Sequence, residues 1–146
     1  AAEVKRKLLG SMPEPYQDLD PRTARMIFDS TPCRDVKPNL TLFQVARFVS
    51  YAWGEMTVEN CMDVMAELAR VYFTSCTKAK LNKLQILLLI TRILQAKSWR
   101  VVCEELNITP PEAMDELRKA ARELGKTYLS INTQKDVDKY TFLRLY

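Results

Sequence analysis

Ten cations in the second half of the chain have the type and density that contact phosphate: Lys78, Lys80, Lys83, Lys97, Arg100, Arg118, Lys119, Arg122, Lys135 and Lys139. Lysine and arginine bind a nucleic-acid backbone by releasing counterions, which requires a positive face and no base reading. Residues 1–77 carry 9 Lys+Arg against 10 Asp+Glu, whereas residues 78–146 carry 13 against 8. The whole net charge of +4 therefore arises in the second half. Within it, the segment 110–124 interleaves Arg118, Lys119 and Arg122 with Glu112, Asp115, Glu116 and Glu123. Four carboxylates on a helix facing phosphates would oppose base readout in a groove. The chemistry to expect is backbone contact without strong sequence preference.

Other chemistries are poorly served. The chain has no histidine, so it lacks the commonest general base and transition-metal ligand. The acidic pairs Glu104–Glu105 and Asp115–Glu116 are sequence neighbours and point to different sides of a helix, so neither makes an acid/base pair. Gly10, Gly54 and Gly125 are too far apart for a phosphate-cradling loop. These features predict no enzyme activity, no metal, no cofactor and no small-molecule substrate. Cys33, Cys61, Cys76 and Cys103 form no C-x-x-C pair. They read as buried thiols in a reducing, intracellular compartment. The opening AAEVKRKLLGSM shows no apolar h-region, and the run Leu84–Ile90 is too short to cross a bilayer.

At 146 residues, 47% hydrophobic and 27% charged, the chain can build a real core around these groups. Residues 1–19 read as an extended arm and residues 20–76 as a helical subdomain. Asp20-Pro21 starts a short helix to about Asp29, and Pro32 and Pro38 bracket a loop. Leu42, Val45, Val49 and Trp53 mark a second helix that Gly54 ends. Thr57 caps a third, with a core stripe through Val58, Cys61, Met62, Met65, Leu68, Ala69 and Tyr72. Residues 77–146 read as a winged helix. A long buried helix runs from about Lys78 to Ala96, and Ser98 caps a short one through Trp99, Val102, Cys103 and Leu106. After the tight turn Asn107-Ile108, Thr109-Pro110-Pro111-Glu112 starts a helix that stops at Gly125. Two β-rich runs, Thr127–Asn132 and Lys139–Tyr146, joined through Thr133–Asp138, suggest a hairpin wing carrying Lys126, Lys135, Lys139 and Arg144.

The stretch KAKLNKLQILLLITRILQAKSWRVVCEELNIT, Lys78 to Thr109, resembles the second winged helix of the large subunit of the TFIIF-like heterodimer of RNA polymerase I. The resemblance extends over Pro110 to Gly125 and implies a tandem winged-helix module that binds DNA without strong sequence preference. The helices of 39–53 and 57–73 would then form a reduced first winged helix. The expectation is a mostly α fold, a helical N-terminal half packed on a C-terminal winged helix. Its role would be non-catalytic, on nucleic acid within nuclear transcription machinery, beside protein subunits of a larger complex and away from membranes. A scaffold module that docks proteins through the winged helix is the alternative. For that role Trp99, at the first turn of its short helix, is the candidate anchor.

Overall fold

In the computed structural model, residues 35–54 and 56–143 are described. The expected arm of 1–19, the helix at Arg22–Asp29, Cys33 and Arg144 lie outside them. The described residues are mostly helical and contain no β-strand.

Helix α1, Leu42–Trp53, opens with a capping box: Gln44 N–H donates to Thr41 Oγ1 at 3.2 Å, and Thr41 N–H returns to Gln44 Oε1 at 2.8 Å. Val45, Phe48, Val49 and Ala52 share its buried face at helical spacing. It stops at Gly54, where a Cβ would lie 2.4 Å from the Ser50 carbonyl oxygen, so only glycine fits. A tight 3-10 turn, Val58–Cys61, leads into α2, Met62–Thr74, which buries Val64, Met65, Leu68, Val71 and Tyr72.

The next helix starts later than its apolar pattern suggests. Residues 78–81 are not helical, and Asn82 caps α3 through a reciprocal pair with Gln85 (2.8 and 3.0 Å). This helix runs as an α-helix over Lys83–Leu88 and as a π-helix over Leu89–Leu94. It is the buried central element, with Leu87 to Ile93 all inside. The Lys78–Lys80 segment stays extended because it has another partner: Tyr128 donates to the Thr77 carbonyl at 2.6 Å and accepts from Ala79 N–H at 3.3 Å.

Helix α4, Trp99–Leu106, is capped by Ser98, whose hydroxyl accepts from Val101 N–H at 3.3 Å. It ends at Asn107 in a left-handed conformation (φ 54°), which asparagine tolerates well. Helix α5, Pro110–Tyr128, starts at the Thr109 cap with proline in its first turn. It passes straight through Gly125, contrary to the expected stop. Gly125 is buried, and a Cβ there would meet Trp53 at 2.9 Å and Phe48 at 3.0 Å. The glycine admits two aromatic rings from α1, and its carbonyl accepts from Leu129 N–H and Ile131 N–H just past the helix.

Among the described residues the hairpin wing is absent. Thr127 and Tyr128 complete α5, and Gln134–Leu143 form a helix, α6, in place of the second strand. The cause is local. The Asp136 carboxylate accepts from Asn132 N–H, Thr133 N–H and the Thr133 hydroxyl, while Thr133 accepts from Asp136 N–H at 3.3 Å. That box starts a helix where the polar run had suggested the connection of a hairpin. The helix–turn–helix succession of α4 and α5 is present without a wing. Helix α1 lies against both α5 and α6, and α2 against the π-helical half of α3. Residues from all six described helices share one apolar core.

Two cysteine assignments hold and one fails. Cys61 and Cys103 are free and buried, but Cys76 is exposed and carries a disulfide. No helix among the described residues is long and apolar enough to cross a membrane.

Candidate nucleic-acid interface

The ten cations divide by what the fold asks of them. Arg118 and Arg122, one turn apart on α5, turn inward to the end of α1. Arg122 Nε donates to the Ala52 carbonyl at 2.8 Å. Arg118 donates to the carbonyls of Tyr51, Gly54 (3.1 Å) and Met56 (3.3 Å), with its guanidinium 4.8 Å from the centre of the Tyr51 ring. The last carbonyls of a helix have no intrahelical partner, and these arginines supply donors and positive charge to that negative end.

Lys78 is used in a similar way. Its ammonium donates to the Tyr72 carbonyl near the end of α2 and sits 5.0 Å from the Tyr72 ring centre, and burial lowers its pKa. Lys97 pairs with Glu105 at 3.1 Å, both half-buried. Lys119 pairs with Asp115 (3.2 Å) and Glu116 (3.4 Å), which raise its pKa.

The remaining five face solvent. Lys80 lies on the extended segment before α3, and Lys83 in the first turn of α3. Arg100 is 78% exposed and makes only a long, one-turn pair with Glu104 (3.6 Å), of the kind worth little in water. Lys135 and Lys139 stand on α6, with the Lys139 ammonium 5.6 Å from the Tyr140 ring centre. Exposed Lys37 and Lys126 lie outside the expected set.

A second group of residues escaped the sequence reading. Arg92 is only 8% exposed inside the π-helical segment. It donates to Glu59 Oε1 at 3.3 Å and stacks on Trp99, with its guanidinium carbon 5.1 Å from the ring centre. The Trp99 indole N–H reaches the same oxygen at 3.1 Å. Burial opposes ionisation of Glu59, yet bonds from its own backbone N–H, Thr57, Trp99 and Arg92 hold its pKa below the usual range. The available signal was Arg92 itself, a lone cation in an apolar run, which folding can bury only beside an acceptor. Its partner lies 33 residues away and could not be read from spacing.

Residues 19–141 match a family described as a possible tRNA binding domain. The chain belongs to that family. It is 47% identical over 145 residues to tRNA(Met) cytidine acetyltransferase TmcA of Thermofilum pendens. The match covers 99% of this chain and 18% of that protein. The TmcA of Methanopyrus kandleri is 33% identical over 127 residues, covering 86% of the chain and 15% of the relative. That of Pyrococcus furiosus is 29% identical over 140 residues, covering 94% and 17%. The chain thus spans less than a fifth of the curated relatives it matches. No solved structure matches it significantly.

These findings overturn the resemblance to the RNA polymerase I TFIIF-like subunit, and with it the nuclear transcription and DNA-binding role. The family match runs through both halves of the chain, whereas that resemblance rested on helix–turn–helix spacing shared by many folds. The wing that would have distinguished a winged helix is a helix here. At the coarser level, a nucleic-acid partner agrees with the family's description.

Proposed function

We propose that this chain is a tRNA-holding module of a longer tRNA-modifying protein. The observation that carries it is the family match over residues 19–141, in a chain whose surplus positive charge lies in its second half. The relatives are named as cytidine acetyltransferases acting on tRNA(Met), and the matched region is under a fifth of each. In this reading the acetyl transfer is carried out elsewhere in such a protein, and this module contributes affinity and placement. Lys80, Lys83, Arg100, Lys135 and Lys139 contact phosphate, because their ammonium or guanidinium groups reach solvent. Arg118 and Arg122 act indirectly, by fixing α1 against α5.

The test is fluorescence anisotropy with a labelled tRNA transcript between about 50 and 200 mM salt. Binding that weakens linearly on a log–log scale, and weakens further in the K80E/K135E/K139E variant, supports the reading. No binding at the lower salt overturns it.

A further inference from the structure

We propose that the cleft beside Trp99 receives a single unpaired nucleobase of the bound RNA, an inference that rests on the RNA-binding reading above. The cleft opens between the end of α1, the turn before α2, α4 and α5. Tyr51, Val58, Glu59, Trp99, Met114 and Arg118 line it, and it encloses about 100 Å³. Pockets for drug-sized ligands and cofactors run from roughly 300 Å³ upward, so this one has room for a ring and no more.

Three observations give the cleft the chemistry of a base. The first is its flat and apolar lining. Trp99 is half-buried at the first position of α4, Val58 is buried, and Met114 is an exposed large apolar side chain on α5. Aromatic rings beside soft apolar groups are the surfaces on which splayed-out bases stack. The second is an unmade hydrogen bond. The Tyr51 hydroxyl belongs to a residue only 2% exposed and has no partner among the described residues. Buried hydroxyls are nearly always satisfied, so an unsatisfied one on a residue that lines the cleft is a donor that a small shift of its cover would offer to a ligand's polar edge. The third is rigidity. Glu59 fixes the indole through its N–H at 3.1 Å, and Arg92 stacks on the ring and bonds the same carboxylate. Arg118 is tied to three carbonyls on the other side. A platform locked in this way loses little freedom when a base arrives.

The recognition follows from these groups. Glu59 is ionised and accepts only, so it takes an N–H of the base, such as an exocyclic amine. Tyr51 keeps its proton in this buried setting and donates to a ring nitrogen or carbonyl. Bases held in a duplex have both faces stacked and cannot enter the cleft, whatever edge groups they show in the grooves. The module therefore reads whether a residue of the RNA is unpaired, and the surface lysines hold the backbone on either side.

The experiment compares anisotropy titrations of the full chain with a short unstructured single-stranded RNA and with the duplex of the same length. Two variants are used, Trp99→Ala and Met114→Gln. The second changes an exposed side chain, so it tests the cleft even if the first unfolds. The expected result is a preference of the wild-type chain for the single strand. Both variants should lose single-strand affinity by about fivefold or more and leave duplex affinity nearly unchanged. Lys80→Glu should lower both together. Retained RNA binding with an unaltered single-strand to duplex ratio in the folded variants would overturn the base pocket alone. Absence of binding to either RNA would overturn the RNA reading itself.

Discussion

Arg122 closes the end of α1: its Nε donates to the Ala52 carbonyl at 2.8 Å, across 70 residues of sequence. With Arg118 on the neighbouring turn, it makes two of the predicted phosphate contacts into tertiary caps. Arg122→Ala should lower stability by about 1–3 kcal/mol, the cost of leaving a partly buried acceptor unpaired. A denaturant melt would show this. The salt dependence of RNA binding by the still-folded variant should be unchanged. A reduced slope would make Arg122 a phosphate contact after all.

Lys80 makes the opposite prediction. Its side chain reaches solvent on the extended segment ahead of α3. Lys80→Ala should leave the melting temperature within error and reduce the slope of log affinity against log salt by about 1. Titrations at four or five salt concentrations would measure it.

Gly125→Ala sets helix propensity against packing. Alanine is worth up to about 1 kcal/mol over glycine in a helix interior. At this site the added methyl would press on Trp53 at 2.9 Å and Phe48 at 3.0 Å, and overpacking typically costs about 1–3 kcal/mol. Phe48 is fully buried and has little room to yield, so the substitution should destabilise. Thermal unfolding gives the sign directly.

Acid should weaken the fold through two carboxylates. The Arg47 guanidinium, bonded at 2.8 Å, holds Asp63 below the usual range, and the Thr133 hydroxyl does the same for Asp136. A depressed folded-state pKa contributes stability above the unfolded pKa of about 3.9 and loses it as pH falls through the folded value. Both groups are solvent-accessible, so each effect is small. Melting temperatures recorded from pH 6 down to pH 2 should fall less steeply in the D63N/D136N variant than in the wild type.

Cys61 lies at the start of α2, and burial pushes its thiol up to about 12. The thiolate is the reactive form, so iodoacetamide at mildly alkaline pH should spare the peptide carrying Cys61 in the folded chain. Mass spectrometry of the digest should show it modified only after unfolding. Rapid labelling under native conditions would mean that α2 opens locally.

Helix existence was legible wherever cap and stripe agreed. Ser98 and Thr109 each start a helix as their side chains suggest, Thr41 rather than Asn39 caps α1, and the core stripe from Val58 to Tyr72 is buried almost throughout. The misreadings came from residues with two uses. Gly125 looked like a helix stop and is a contact point for two rings. Lys78 to Leu81 continued an apolar pattern, but the Tyr128 hydroxyl holds that stretch extended. Thr133 to Asp138 looked like a hairpin connection because its capping box is short and polar. At the site, exposure separated the cations: sequence could locate charge but could not show that Arg118 and Arg122 point at a helix end. The Glu59–Arg92–Trp99 group depends on contacts 33 and 40 residues apart, which no periodicity reports.

The wide turn at Leu89–Leu94 holds one residue more than an α-helix needs over the same rise. Each residue of an α-helix turns the chain by about 100°. Deleting one residue there would let the segment relax to ordinary helical winding while the flanks kept their heading. The shortened chain would then fold, but Arg92 would be swung away from Glu59 and the tryptophan platform would lose its brace. Length variation at this point would thus change the cleft together with the core packing of Leu89, Ile90 and Ile93.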